Sequence, residues 1–270
     1  MAQLKMNYLS RALGRQVDVN VIIPTYTNMS QTKGKTIKEI YDPDHKFKVL
    51  ILLHGFSGDC NDYLRFTNVL RYAEDNDFVI LMPSGDNCFY YDYEPGPKYR
   101  SFIAEELLQV ARFMFPISDR YEDTYIGGLS MGAHGSAMIS LAYPEVFSKV
   151  YCMSGAPSRI DKNARSTSLN WFGKEKSVFH QDSARLAAER KDTIEDAYYT
   201  ADKNVKEGKP KAKYTFTIGD KDFLLDRTKE FYEYMKKLGY DATLEIVPGY
   251  GHEWDFWDMK VKEALEKILK

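Results

Sequence analysis

The sequence predicts an α/β protein whose central sheet is mostly parallel, with helices on both faces and a small helical insertion. Two runs, Val49 to Leu53 and Phe78 to Met82, are apolar without a break, which is how strands buried on both faces of a parallel sheet read. Stretches of helical periodicity alternate with such runs along the chain. A turn rich in glycine, TYIGGLSMGAHG at 124–135, joins one strand-like stretch to a helical one.

Residues 16–23, QVDVNVII, alternate Val17, Val19 and Val21 with Asp18 and Asn20, the period-2 pattern of a half-buried strand that ends at Pro24. A polar stretch leads to FKVLILLHG, a central strand. DFVILMPSG at 77–85 repeats that design, and helical spacing of Leu64, Val69 and Leu70 predicts one helix between the two strands. Residues 99–116 read as an amphipathic helix stopped before Pro116. Then follow strand 123–128, helix 131–142, strand 149–155, strand 213–219, helix 226–239, strand 242–249 and a terminal helix. The segment 156–212 breaks the rhythm. It holds short polar helical pieces with Trp171, Phe172 and Phe179, and reads either as an insertion over the sheet edge or as an ordinary helical connection.

At 270 residues the chain suits a single domain, 1–270, with the insertion inside it. A net charge of -2 and the lack of a basic run interleaved with aromatics remove the electrostatic footprint of a nucleic-acid partner. No stretch of 18 apolar residues suggests a membrane span, and no basic-then-apolar leader is seen, so the protein is read as cytoplasmic. Cys60, Cys88 and Cys152 are widely spaced and odd in number, which fits free thiols better than disulfides or a zinc site. No metal or organic cofactor is expected, because HExxH, GxGxxG after a strand and GxxxxGK are all missing. A homo-oligomer stays open, through an apolar patch on the insertion.

Gly128-Leu129-Ser130-Met131-Gly132 matches G-x-S-x-G between a strand and a helix, the context that motif requires. A sharp strand-to-helix turn strains the central residue, and side chains two positions away on either side would collide with it. Ser130 then stands at the head of a helix, where the Met131 N–H can face a developing oxyanion. A serine hydroxyl is a weak nucleophile near neutral pH and needs a base held by a third group.

Of five histidines, His252 in PGYGHEWDFW lies in the loop after the last strand, from where a base can reach Ser130. His54 reads as a structural residue of the HGFSG turn, and His134 should follow its helix away from the site. His45 and His180 lie in polar surroundings. The acid should leave the preceding strand, where TFTIGDKDFLLD offers Asp220, Asp222 and Asp226. Asp222 is preferred, because Asp220 leaves the strand too early and Asp226 suits a helix cap. The order Ser130, Asp222, His252 is that of an α/β-hydrolase. A second oxyanion donor is expected from the Phe56 N–H in LLHGFSG. Phe56, Trp254 and Tyr90, the last in the aromatic run CFYYDYEPGPKY, are candidates to bind substrate, with core or loop packing as their plain alternative.

These residues resemble a family of α/β-hydrolases that includes esterase D, S-formylglutathione hydrolase, tributyrin esterases and cinnamoyl or feruloyl esterases. The likeness runs from SRALGRQVDVNVIIP through LLHGFSGDCNDY, LMPSGDNCFYYDY, GLSMGAHGSAMISLAYPEVF and GDKDFLL to PGYGHEWDFW, and is greatest with the tributyrin branch. It implies the same triad, Ser130, Asp222 and His252, and the same amides, Phe56 and Met131. It also implies a carboxylic ester hydrolase acting on short-chain acyl or hydroxycinnamoyl esters. A glutathione thioester hydrolase, in which Cys60 would stand near the HG loop, and a carbohydrate acetyl esterase are the alternatives. A serine peptidase would need a large cap or propeller for which the chain has no room, and a non-catalytic binding protein would be expected to have lost a triad member.

Overall fold

In a computed structural model, described for residues 1–73, 76, 78–160 and 189–268, eight strands form one sheet. They are β1 (Ala2–Ser10), β2 (Arg15–Ile23), β3 (Lys48–Leu53), β4 (Phe78–Pro83), β5 (Thr124–Leu129), β6 (Lys149–Met153), β7 (Lys213–Gly219) and β8 (Ala242–Val247). Their spatial order is β1-β2-β4-β3-β5-β6-β7-β8. β1 and β2 pair antiparallel, as do β2 and β4, and the other ladders are parallel. The chain leaves β3 for β4 on one side and then returns to β5 on the other. Strand order reverses at β3, which opens a crevice at the carboxyl ends of β3 and β5.

The helices are α1 (Ile37–Ile40), α2 (Asp62–Phe66), α3 (Val69–Ala73), α4 (Tyr99–Ser101), α5 (Leu108–Met114), α6 (Met131–Ala142), α7 (Ala197–Lys206), α8 (Leu225–Lys237) and α9 (Trp254–Glu263). A π-helical stretch, Phe102–Leu107, carries α4 into α5. Among the described residues no helix is long and apolar enough to cross a membrane.

The double-sided burial expected of β3 is present. Val49, Ile51 and Leu53 join one core with Val79, Phe102 and Met138, while Leu50 and Leu52 join the other with Ile80, Phe256 and Leu265. Each face must be apolar to exclude water from the sheet, so the strand carries no alternation.

Three expectations need correction. β1 was not predicted: it is an edge strand whose residues are largely exposed, so hydrophobic patterning leaves little trace of it. The single helix expected between β3 and β4 is two, α2 and α3, because Thr67 is extended and the Asn68 N–H donates at 2.8 Å to Asp258 on α9. Asp226 does not cap α8, since Leu224 holds that position and Asp226 falls in the first turn. In the segment 156–212 the described part includes α7, which Asp196 caps by accepting from the Tyr198 and Tyr199 amides. Asn204 ties α7 to α6 through Leu141 O. Trp171, Phe172, Phe179 and His180 lie outside the described residues.

Candidate active site

Ser130 stands between β5 and α6 with φ 54° and ψ −112°, a conformation costly to any residue with a side chain. Its surroundings hold it there. The Ser130 N–H donates to Met153 O at 2.9 Å, so β6 fixes the turn from one side. A Cβ on Gly128 would lie 2.6 Å from Leu53 O, and one on Gly132 would lie 2.2 Å from the same oxygen and 2.8 Å from His54 O. The two motif glycines therefore let α6 start directly against the end of β3.

Gly132→Ala puts that Cβ into a backbone carbonyl that β-sheet pairing prevents from moving. We expect a loss of about 3 kcal/mol, a melting temperature lower by roughly 10 °C, and about 10²-fold slower ester turnover if Ser130 shifts by an ångström. Thermal melts and steady-state kinetics on the one variant check both.

His252 and Asp222 arrive on two loops that are stitched together. After β7, the Lys221 N–H donates to Tyr250 O, and the Gly249 N–H from the β8 loop donates to Asp220 Oδ1 at 2.7 Å. Asp220 is thus spent on joining the loops, which leaves Asp222 to face the histidine. Asp222 Oδ2 lies 2.9 Å from His252 Nδ1, and His252 Nε2 lies 3.0 Å from Ser130 Oγ. A carboxylate only accepts, so Nδ1–H donates to Asp222 and Nε2 is left to accept from the serine hydroxyl. Asp222 Oδ1 accepts from the Leu224 N–H at 2.9 Å, and its side chain is wholly buried. One carboxylate oxygen thus holds the loop and the other the imidazole.

The His252 ring is packed from both sides. Trp257 meets it edge-on at 4.9 Å, and Phe223 covers it at 4.6 Å while itself 58% exposed. HEWDFWD puts both Trp254 and Trp257 near His252 in sequence; Trp257 is the one in contact with the ring, and Trp254 sits one ring further out, against Trp257, Tyr63 and Phe66. From the sequence, Phe223 in GDKDFLL reads as an apolar anchor for the Asp222 loop, with no part in covering the histidine. Its position directly after the acid is the one signal that pointed to it.

The HGF loop lies against the serine: a Cβ on Gly55 would come within 3.6 Å of Ser130 Cβ. His54 ties this loop down. Its Nδ1–H donates to Gly55 O at 2.7 Å and its Nε2 accepts from the Gly85 N–H at 2.8 Å. Burial lowers its pKa, so the neutral tautomer that makes both bonds persists. The Phe56 amide follows next in this loop, and Met131, the first residue of α6, has an N–H with no acceptor inside the helix.

Tyr90, one of the candidates to bind substrate, is turned into the protein. It is fully buried, its hydroxyl donates to His54 O at 3.0 Å, and its ring fills the space over Gly85 and Gly135. Positive φ at both Phe89 and Tyr90 turns the chain so that Tyr90 points inward while its neighbours face elsewhere. Phe89 stands 5.9 Å from the half-buried Phe56 ring and 5.8 Å from His134, and Tyr91 stands 5.4 Å from His134. His134, expected to leave with its helix, instead belongs to this aromatic wall. The residue is half-buried, and its Nε2 is shut off from solvent without a hydrogen-bond partner among the described residues. Burial of that atom, helped by Arg227 and Arg190, pushes its pKa down to about 3. Cys60 is buried, and burial raises its thiol pKa, so it lacks the thiolate character of a reactive cysteine.

Known proteins resemble this chain along almost its whole length. Residues 10–268 match the family described as "Putative esterase". An acetyl esterase of Caldicellulosiruptor saccharolyticus is 30% identical, over 100% of this chain and 99% of its own. Among solved structures, the substrate-bound fluorophosphonate-binding serine hydrolase F of Staphylococcus aureus superposes with a TM-score of 0.80 at 28% identity, covering 100% of this chain and 98% of its own. The S-formylglutathione hydrolase of the same organism gives 0.81 at 27%, covering 100% and 99%. A ferulic acid esterase at 20% identity and TM-score 0.72 shares the fold. With the α/β-hydrolase fold, a serine at its strained elbow and relatives matched end to end, the chain belongs to the "Putative esterase" family and is a serine carboxylesterase.

Proposed function

We propose that Ser130 is the nucleophile, His252 the general base and then acid, and Asp222 the group that orients His252, in hydrolysis of short-chain acyl esters. The unbroken relay from Asp222 Oδ2 through His252 to Ser130 Oγ carries this reading. His252 Nε2 takes the hydroxyl proton as Oγ attacks the ester carbonyl, and the tetrahedral oxyanion is met by the amides of Met131 and Phe56. His252 returns the proton to the departing alcohol. Water then repeats the relay on the acyl-serine and releases the acid. Burial of the Asp222 carboxylate strengthens its hold on the imidazolium formed in each step. The acetyl esterase relative supports a short acyl group.

The wall of Phe56, Phe89 and Tyr91 favours a second reading, in which a flat hydroxycinnamoyl group stacks there. Kinetics on 4-nitrophenyl acetate, butyrate and octanoate beside methyl ferulate decide between them. We expect kcat/KM to peak at acetate or butyrate, and a higher value for methyl ferulate would replace the short-chain reading with the cinnamoyl one. A cytoplasmic setting belongs to the proposal, since Cys60, Cys88 and Cys152 are all unpaired, as expected where thiols stay reduced.

A further inference from the structure

A backbone oxyanion donor is aimed by whatever grips the rest of its peptide unit. The C=O and N–H of a trans peptide lie in one plane and point in opposite directions, so the Phe56 N–H takes its bearing from Gly55 O. That oxygen accepts from His54 Nδ1–H at 2.7 Å and from the Gly58 N–H at 3.2 Å. The next unit, which joins Phe56 to Ser57, is held separately. Its N–H, on Ser57, donates at 2.6 Å to Asn87 Oδ1 in the loop after β4. With the planes on both sides of its Cα fixed, Phe56 has one φ and ψ, one direction for its N–H and one place for its ring.

The second plane depends on that bond. Ser57 has φ 68°, in the left-handed region that a residue with a side chain enters only at a cost, and an outside acceptor is what offsets the cost there. Asn87 itself stands on a firm base. Asp86, just before it, accepts from Arg15 of β2 and from the Tyr99 hydroxyl, and Arg15 also donates to that hydroxyl at 2.9 Å. Just after it, Cys88 Sγ–H donates to Gly85 O at 2.8 Å and closes the turn. The β4 loop thus meets the HGF loop through three bonds: from the Gly85 N–H to His54 Nε2, from the Tyr90 hydroxyl to His54 O, and from the Ser57 N–H to Asn87. Two of them act before Phe56 in the chain, and the Asn87 bond acts after it.

We propose that Asn87 is a positioning residue of the oxyanion hole, which locks the Phe56 amide in the direction a tetrahedral oxyanion requires by holding the Ser57 N–H. The inference rests on the reading of Phe56 as an oxyanion donor and adds to it the residue that keeps the donor in place. Its effect belongs to the transition state, because a donor aimed at the oxyanion is used far less by the ground-state carbonyl. A donor displaced by about an ångström costs up to about 10²-fold in rate.

The test compares Asn87→Ala with the unmodified protein on 4-nitrophenyl butyrate and on two inhibitors of equal length, trifluoromethyl hexyl ketone and methyl hexyl ketone. Ser130 Oγ bonds to the carbonyl carbon of the first, its proton passes to His252, and the carbonyl electron pair moves onto oxygen as an oxyanion. The second binds as a neutral ketone. In Asn87→Ala, kcat should fall about ten- to a hundredfold with KM changed less than about threefold. The inhibition constant of the methyl ketone divided by that of the trifluoromethyl ketone should fall by a similar factor. Because this ratio is taken on a single protein, a general loosening of the pocket cancels. The acid limb of kcat/KM against pH, which reports the histidine, should not move. A kcat within about twofold of the unmodified value, a loss confined to KM, or a shifted acid limb would overturn the role of Asn87. A trifluoromethyl ketone that binds the unmodified protein no tighter than the methyl ketone would overturn the oxyanion reading itself. A strong preference that Asn87→Ala leaves intact would remove Asn87 and keep that reading.

Discussion

Ser130→Ala should lower kcat/KM for 4-nitrophenyl acetate by about 10⁵-fold or more while leaving the melting temperature within a few degrees. Such a loss corresponds to about 7 kcal/mol of transition-state stabilisation, far above what removing one hydroxyl costs a fold. The two effects separate because Ser130 is held by its backbone. Its N–H binds Met153 O, and the neighbouring glycines leave α6 seated against β3, so alanine can adopt the same strained position. Among the described residues, the bond lost is that from Oγ to His252 Nε2. A phosphonofluoridate reagent supplies a second readout. It should add one phosphonyl group to the unmodified protein, on the peptide containing Ser130, and none to the variant. Retention of more than about a hundredth of the activity would refute the assignment of the nucleophile.

Asp222→Asn should cost about 10⁴-fold in kcat with little change in stability. The asparagine is isosteric, and its side-chain oxygen can still accept from the Leu224 N–H that holds the loop. The opposite end is different. Where Asp222 Oδ2 accepts from His252 Nδ1–H at 2.9 Å, an amide NH₂ donates, which forces Nδ1 to be the acceptor and places the proton on Nε2. An imidazole protonated at Nε2 cannot take the Ser130 proton. The same substitution at Asp220, which only accepts from the Gly249 N–H across the two loops, should reduce activity less than tenfold. Stopped-flow or steady-state rates on both variants, with equal circular dichroism, distinguish the two acids. Comparable losses at both positions would mean that loop geometry, and no specific carboxylate, controls the histidine.

How much of this was legible in the sequence depends on whether the cause is local. β3 and β4 were legible because burial on both faces demands unbroken apolar runs, and the elbow was legible because Gly128 and Gly132 are required by a clash with Leu53 O and His54 O that no other residue type avoids. The grouping of Ser130, Asp222 and His252 could be read from their order along the chain and from their positions after strands. What escaped notice depends on partners far away. The break between α2 and α3 is stabilised by Asp258, 190 residues beyond Asn68. The inward turn of Tyr90 needs positive φ at two aromatic residues, for which an aromatic side chain gives no local hint. β1 is an edge strand with one partner, and its exposed residues obey solvent more than the core. Phe223 covers His252 through the shape of a loop, which periodicity does not describe.

The parts around Ser130 come from four separate visits of the chain to the same end of the sheet. Residues 54–56, 130–131, 222 and 252 meet only after β7 and β8 have paired beside β6 and α9 has folded back to bind Asn68 and Tyr72 through Asp258. A ribosome that has released the first two hundred residues has made Ser130 and its elbow, yet neither His252 nor Asp222. On the proposed roles of these three residues, a polypeptide that stops short of His252 is expected to be chemically silent, and the onset of turnover should mark the arrival of that last segment as sharply as any spectroscopic probe of folding.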